Sequence, residues 1–176
     1  MPIKEFKIDI KAKAETLWFA FWDEYNYRNW TSVFHQGSYA VSDWIEGSKI
    51  HFLVPEGSGM YSIIAEKKTN QKMVFKHIGN ILNFEEQPLD DETRLWTGGT
   101  ESYTLIENGE TTTLLASFNS IQEHIDFFSN YIPKALEKIK TLAENLEIKI
   151  EVIINAEIDE VWKKWTTPAD IVKWNT

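Results

Sequence analysis

Between Ser120 and Asn145 the apolar residues Ile121, Ile125, Phe128, Ile132, Leu136, Ile139 and Leu142 recur every three or four positions. That spacing lays one apolar stripe along about six turns of helix. A rod with a single greasy face has to bury it, and in this chain the surface available is a sheet, so the stripe constrains the fold to a helix lying along strands. Ser120, with Glu123 three positions on, predicts a capping box at the start of the rod. Pro133 removes one backbone donor from its interior and predicts a bend.

The strands are legible upstream. Phe6, Ile8 and Ile10 alternate with Lys7, Asp9 and Lys11, the period-two signature of a half-buried strand over about residues 3–12. From Ala14 the period lengthens. Leu17, Trp18 and Phe21 stand at helical spacing, and Tyr25 to Trp30 reads as a second short helical piece. Residues 38–79 carry apolar or alternating runs at Tyr39 to Val41, Ile50 to Val54, Tyr61 to Ala65 and Met73 to Ile78. They are broken by Glu46-Gly47, Pro55 to Gly59 and Thr69-Asn70, the turn chemistry of a meander. Tyr103 to Leu105 and Thr113 to Phe118 flank Asn108-Gly109, a type I′ hairpin signal because both central residues then need positive φ. Asn80 to Gly99 is long and acidic, with Glu85, Glu86, Asp90, Asp91 and Glu92, and is expected to be a mobile surface excursion. Its acids lack the spacing of a calcium loop.

The opening unit then recurs. At an offset of 144 residues Ile10 falls on Ile154, Ala12 on Ala156, Trp18 on Trp162 and Trp30 on Trp174, while Ile8 meets Val152, Leu17 meets Val161 and Phe21 meets Trp165. Patterning explains the aliphatic matches, but not two tryptophans matched at one separation. The expected organisation is one α+β domain over residues 1–145, followed over 146–176 by the opening strand and helices of a second copy. The apolar residues of that second copy are expected to seek a partner surface, on the first domain or on a neighbouring chain, which makes a homodimer through the 146–176 tail one expectation.

Composition narrows the function. A formal net charge of −9 with dispersed basic residues speaks against a nucleic-acid backbone or an anionic membrane surface as partner. The absence of cysteine excludes thiolate metal, redox and nucleophile chemistry. There is no signal-like or membrane-spanning run, and a cytoplasmic location is expected. His35, His51, His77 and His124 form no HExxH-type pair, Gly57-Ser58-Gly59 is no nucleophile elbow, and Gly98-Gly99 opens no phosphate-binding loop. No cofactor is expected.

With these elements in place, the chain resembles the START-like or SRPBCC superfamily, and within it the bacterial relatives of the heat-shock-protein ATPase activator (AHSA-type) domain. The resemblance is carried by Ala12 to Trp30, by Trp96-Thr97-Gly98-Gly99-Thr100-Glu101-Ser102-Tyr103-Thr104-Leu105, and by Phe127-Phe128 followed by Pro133 to Lys140. It implies a helix-grip architecture: a curved antiparallel sheet around a long carboxy-terminal helix, with a cavity between them that relatives use for apolar molecules and sometimes for catalysis.

Residues expected around that space are Phe52, Tyr61, Phe75, Trp96, Tyr103, Phe118, Phe128, Tyr131 and Ile132, with His77, Glu101, Tyr61 or Tyr103 to orient a ligand. A carboxylate such as Glu101 turned into an apolar cavity would have its pKa raised by desolvation and would serve as base or anchor. The leading expectation is non-catalytic binding of an apolar small molecule, with 80–99 as a lid. One alternative is a protein-interaction module in chaperone regulation. Another is a cyclase- or hydrolase-type enzyme, which would need two converging polar groups in the cavity.

Overall fold

In the computed structural model, which describes residues 1–146 and 154–170, the charged-apolar alternation at the amino terminus forms β1 (Ile3–Ile10). It is followed by α1 (Ala14–Trp22) and α2 (Glu24–Thr31). Asp23 ends the first helix and caps the second, its side chain accepting from the amides of Tyr25 and Asn26. The start of α1 is capped from afar, the Ala14 amide donating to the Glu107 carboxylate at 2.6 Å. Trp30 ties the two helices together by donating its indole N–H to the Phe21 carbonyl at 2.8 Å.

The meander follows as β2 (Tyr39–Val41), β3 (Lys49–Leu53), β4 (Gly59–Lys68) and β5 (Lys72–Leu82). Then come β6 (Glu85–Glu86), α3 (Asp91–Trp96), β7 (Thr100–Asn108) and β8 (Thr111–Asn119). All pairings are antiparallel, in the order β1-β8-β7-β5-β4-β3-β2, with β6 on the far end of β5. The long helix, α4 (Gln122–Glu144), lies against this sheet, burying Ile125, Ile132, Ala135, Leu136, Ile139 and Ala143. They meet Ile10, Ile64, Met73, Phe75, Tyr103, Leu114 and Phe118 from the strands and Leu17 and Phe21 from α1 in one core. The arrangement is an α+β helix-grip.

Four local expectations are corrected. The segment 80–99 is not an irregular excursion: β5 extends to Leu82, β6 pairs with it, and α3 is capped by Asp90, whose carboxylate accepts from the Thr93 amide at 2.8 Å. Trp96 and Thr93 are buried there, so acidic composition concealed a packed helix. The capping box at Ser120 does not form. The helix starts one residue later, with Ile121 at the cap position, and Ser120 turns its hydroxyl to His124 Nδ1 at 2.9 Å. The hairpin at Asn108-Gly109 has Gly109-Glu110 as its central pair, since Asn108 already faces Thr111 in the ladder. Gly109 alone has positive φ, at the first central position, as a type II′ turn requires. The first strand stops at Ile10 rather than at residue 12.

The chain divides into two compact units, Met1–Leu146 and Glu147–Thr176. In the second, α5 (Ile158–Thr166) occupies the nine positions that α1 occupies at an offset of 144. The backbone bonds around it correspond as well. Ala156 donates to the Ile154 carbonyl as Ala12 does to Ile10, Val161 to Glu157 as Leu17 to Lys13, and Thr167 to Lys163 as Asp23 to Phe19. The strand expected around Val152, and Trp174, lie outside the described residues.

Leu17 is fully buried between α4 and the sheet. Its replacement by alanine is expected to lower stability by about 2–5 kcal/mol, read as a fall in the urea midpoint at unchanged slope.

Candidate functional site

The space between sheet and long helix is filled along most of its length and opens at one end into a cavity of about 290 Å³. Register places its floor. On β7, Glu101 faces Phe75 of β5 on one side and Phe118 of β8 on the other. Phe52 of β3 and Met60 of β4 continue the wall, α4 contributes Phe127, Phe128 and Ile132, and α2 contributes Tyr27, Trp30 and Thr31. Phe34, His35, Ser38 and Tyr39 border the same space. The wall is held by ring contacts, with Phe118 stacked on Phe128 at 4.5 Å between centroids and Phe52 edge-on to Phe75 at 5.2 Å.

One carboxyl lies in this aromatic wall. Glu101 accepts the hydroxyl hydrogen of Tyr103 on Oε1 in a short hydrogen bond. Its Oε2 lies 3.7 Å from Nε2 of His77 on β5, too far for a hydrogen bond. The other ring nitrogen of His77 shares a 2.9 Å hydrogen bond with the Ser62 hydroxyl. Among the described residues, His77 Nε2 is the buried side-chain polar atom that has no hydrogen-bond partner. Burial pushes the Glu101 carboxyl up to about 7, an effect that the Tyr103 hydrogen bond opposes in part. Burial pulls the His77 imidazole down to about 4, with repulsion from His124 adding to it. The Tyr27 and Tyr103 phenols are pushed well above their ordinary value by burial and by the nearby Glu101 charge. At neutral pH the cluster therefore carries a neutral imidazole, neutral phenols and a carboxyl poised between its two forms.

Of the residues expected at the site, Phe52, Glu101, Phe118, Phe128 and Ile132 line the cavity. Tyr103 and His77 stand behind Glu101 and touch it rather than the open space. Phe75 is packed in the core beneath Phe52. Tyr131 stacks on Phe127, and Trp96 sits on α3 beside His124. Tyr61 is a correction. Ser62 pairs with His77 on the helix side of the sheet, so Tyr61 points to the opposite face. There it packs with Leu53 and Ile81 over Gly79, where an added Cβ would meet the Tyr61 ring at 2.7 Å. The 80–99 segment is also no free lid, because α3 is pinned to β5 by Asn80 donating to the Thr93 hydroxyl and Thr97 donating to the Ile78 carbonyl. Sequence reasoning missed Tyr27, Trp30, Thr31 and Phe34. Their signal was present, since they stand at i, i+3, i+4 and i+7, one face of a helical turn and its extension.

Solved structures share the architecture. A protein from Mesorhizobium loti superposes with a TM-score of 0.65 at 12% identity, over 84% of this chain and 100% of that one. The Aha1 dimer from Colwellia psychrerythraea gives 0.59 at 21% identity, over 84% of this chain and 98% of that one. A protein of the dynemicin biosynthetic locus gives 0.58 at 9% identity, over 81% of this chain and 47% of that one. No family model and no curated protein matches the chain. Among the described residues no helix is long and apolar enough to cross a membrane.

The raised Glu101 pKa makes a stability prediction. The folded state holds this proton up to about pH 7 whereas the unfolded chain releases it near 4.5, so the Glu101 contribution falls as pH rises through that window. The His77 contribution runs the other way, rising between about pH 4 and 6.5. Glu101→Gln removes the first and keeps the second. Relative to the parent protein it is expected to gain about 2–3 kcal/mol between pH 5 and pH 8, measured from urea midpoints.

Proposed function

We propose that this chain, which has the START-like helix-grip fold, binds an apolar small molecule in the cavity between its sheet and long helix, without chemistry on that molecule. What supports the reading is the cavity itself. About 290 Å³ of space is bounded mainly by Phe, Tyr, Trp, Met and Ile side chains and contains one carboxyl. Small-molecule sites have this character, a mostly apolar enclosure with a few convergent polar groups. The packed rings of Phe118 and Phe128 make the wall stiff enough to keep a shape.

A second reading is a module that acts on chaperones through its surface, and the likeness to the Aha1 dimer favours it. The two separate on one substitution. Ile132, fully buried at the cavity's edge on α4, can be replaced by tryptophan to fill the space. Ile132→Trp is expected to weaken binding of a hydrophobic dye such as anilinonaphthalene sulfonate at least about tenfold, at a stability cost of about 1–3 kcal/mol. Dye affinity unchanged in a variant that still unfolds cooperatively would sink the binding reading. Retention of a chaperone in pull-downs by both proteins would support the second.

We also propose that Glu147–Thr176 opens a second copy of the domain. What supports this is the nine-residue match of α5 to α1 and the three corresponding backbone bonds around it. A chimera in which residues 147–174 replace 3–30 is expected to keep a cooperative urea transition. Loss of that transition would count against equivalence of the two segments.

A further inference from the structure

We infer that the cavity takes a ligand with an apolar body and a protonated amine head, and that Glu101 receives that head on Oε2. The inference rests on the cavity being a binding site and adds the chemistry of what binds. The observation behind it is a carboxyl without a counter-charge. Among the described residues no lysine or arginine borders the cavity, Glu101 Oε1 is occupied by the Tyr103 hydroxyl, and Oε2 has no hydrogen-bond partner. Tyr103 is a donor to the carboxylate and cannot neutralise it. His77, 5% exposed, stands behind Glu101 with its unpartnered Nε2 3.7 Å from Oε2, and as a neutral imidazole it supplies no counter-charge.

A buried carboxyl in such surroundings has two ways to avoid an unpaired charge, to keep its proton or to meet a cation. An ammonium suits this site better than a hydroxyl for three reasons. Its N–H groups donate to Oε2 with full opposite charge, where a hydroxyl offers only a neutral donor. Trp30, Tyr27 and Phe118 present aromatic surface of the kind that attracts cations. The chain's formal charge of −9 draws cations and repels fatty-acid-like anions.

The other titratable groups around Glu101 do not reverse this. Tyr103 on its own strand and Tyr27 on α2 are held as neutral phenols, and His77 on β5 is held neutral. His124 on α4 acts on His77 and is itself pulled down by burial, and His35 at the rim lies 3.8 Å from Glu56. Glu101 is thus the group whose ionisation follows amine binding, and below neutral pH the incoming ammonium displaces its proton into solvent.

The test is titration calorimetry of the full chain with naphthylmethylamine, naphthylmethanol and methylnaphthalene, three bodies of one shape with a cationic, a neutral polar and an apolar head. At about pH 8 the amine is expected to bind at least about tenfold more tightly than the alcohol. Between about pH 8 and pH 5.5 its affinity is expected to fall about thirtyfold while that of the alcohol is unchanged, since Glu101 then has to lose a proton first. Near pH 6, buffers of different ionisation enthalpy are expected to report release of close to one proton per amine bound. Glu101→Gln is expected to remove the proton release and to leave the amine binding no more tightly than the alcohol. Amine and alcohol binding equally at both pH values overturns the amine inference and leaves the cavity reading standing. Failure of all three to bind overturns the cavity reading and this inference with it.

Discussion

The apolar stripe of α4 lying in the concave face of the sheet is the contact on which the rest of the molecule depends. Ile125, Ile132, Leu136 and Ile139 are all buried by it, and each large apolar side chain removed from water contributes about 1.5–3 kcal/mol. Helices α1 and α2 cover the same face, held in turn by Leu17, Phe21 and Trp30 packing into the same core. A curved sheet and a helical rod fit closely only over part of their length. Where they part, beyond Ile132 toward Phe127 and Phe128, the aromatic cavity opens.

That geometry explains why a carboxyl can be kept in a greasy place. Glu101 sits at a position where the sheet has turned toward the cavity, between Phe75 and Phe118 on the flanking strands. A hydrophobic residue there would be the cheaper choice for stability, because a buried carboxyl with no cationic partner contributes little and costs desolvation. The Tyr103 hydroxyl lowers that cost without cancelling the charge. The arrangement spends stability on a polar group that faces open space, which is the pattern of a site rather than of a core.

The long helix, its apolar face and the run of strands in the meander were legible because each rests on local periodicity, and the helix-grip class was implied by the family resemblance. Glu101 was legible too, as a carboxylate on an expected strand bordering the cavity. Tyr61 was misplaced because the run Tyr61 to Ala65 is apolar on both faces and carries no phase; the phase is set by Ser62 pairing with His77 and by the bulge beside it. The 80–99 segment was misread because Glu85, Glu86 and Asp90 suggest solvent. In the folded chain Glu86 is engaged by Lys49 and His51 of β3, and Asp90 caps a helix. Tyr27 and Trp30 were seen in a helical piece, but not as a wall of the cavity, since only the docking of α2 beside α4 brings them there.

The sequence by itself determined the alternation of strands and helices, the amphipathic rod, the acidic and cysteine-free character, and the echo of the opening unit 144 residues on. These are properties of short windows, in which period and composition dictate which face is apolar. Tertiary structure alone decided which strand neighbours which, which side of β4 meets the helix, and where packing falls short of filling the space. Those depend on pairings between residues far apart in the chain, and no local window contains the free energy that selects them.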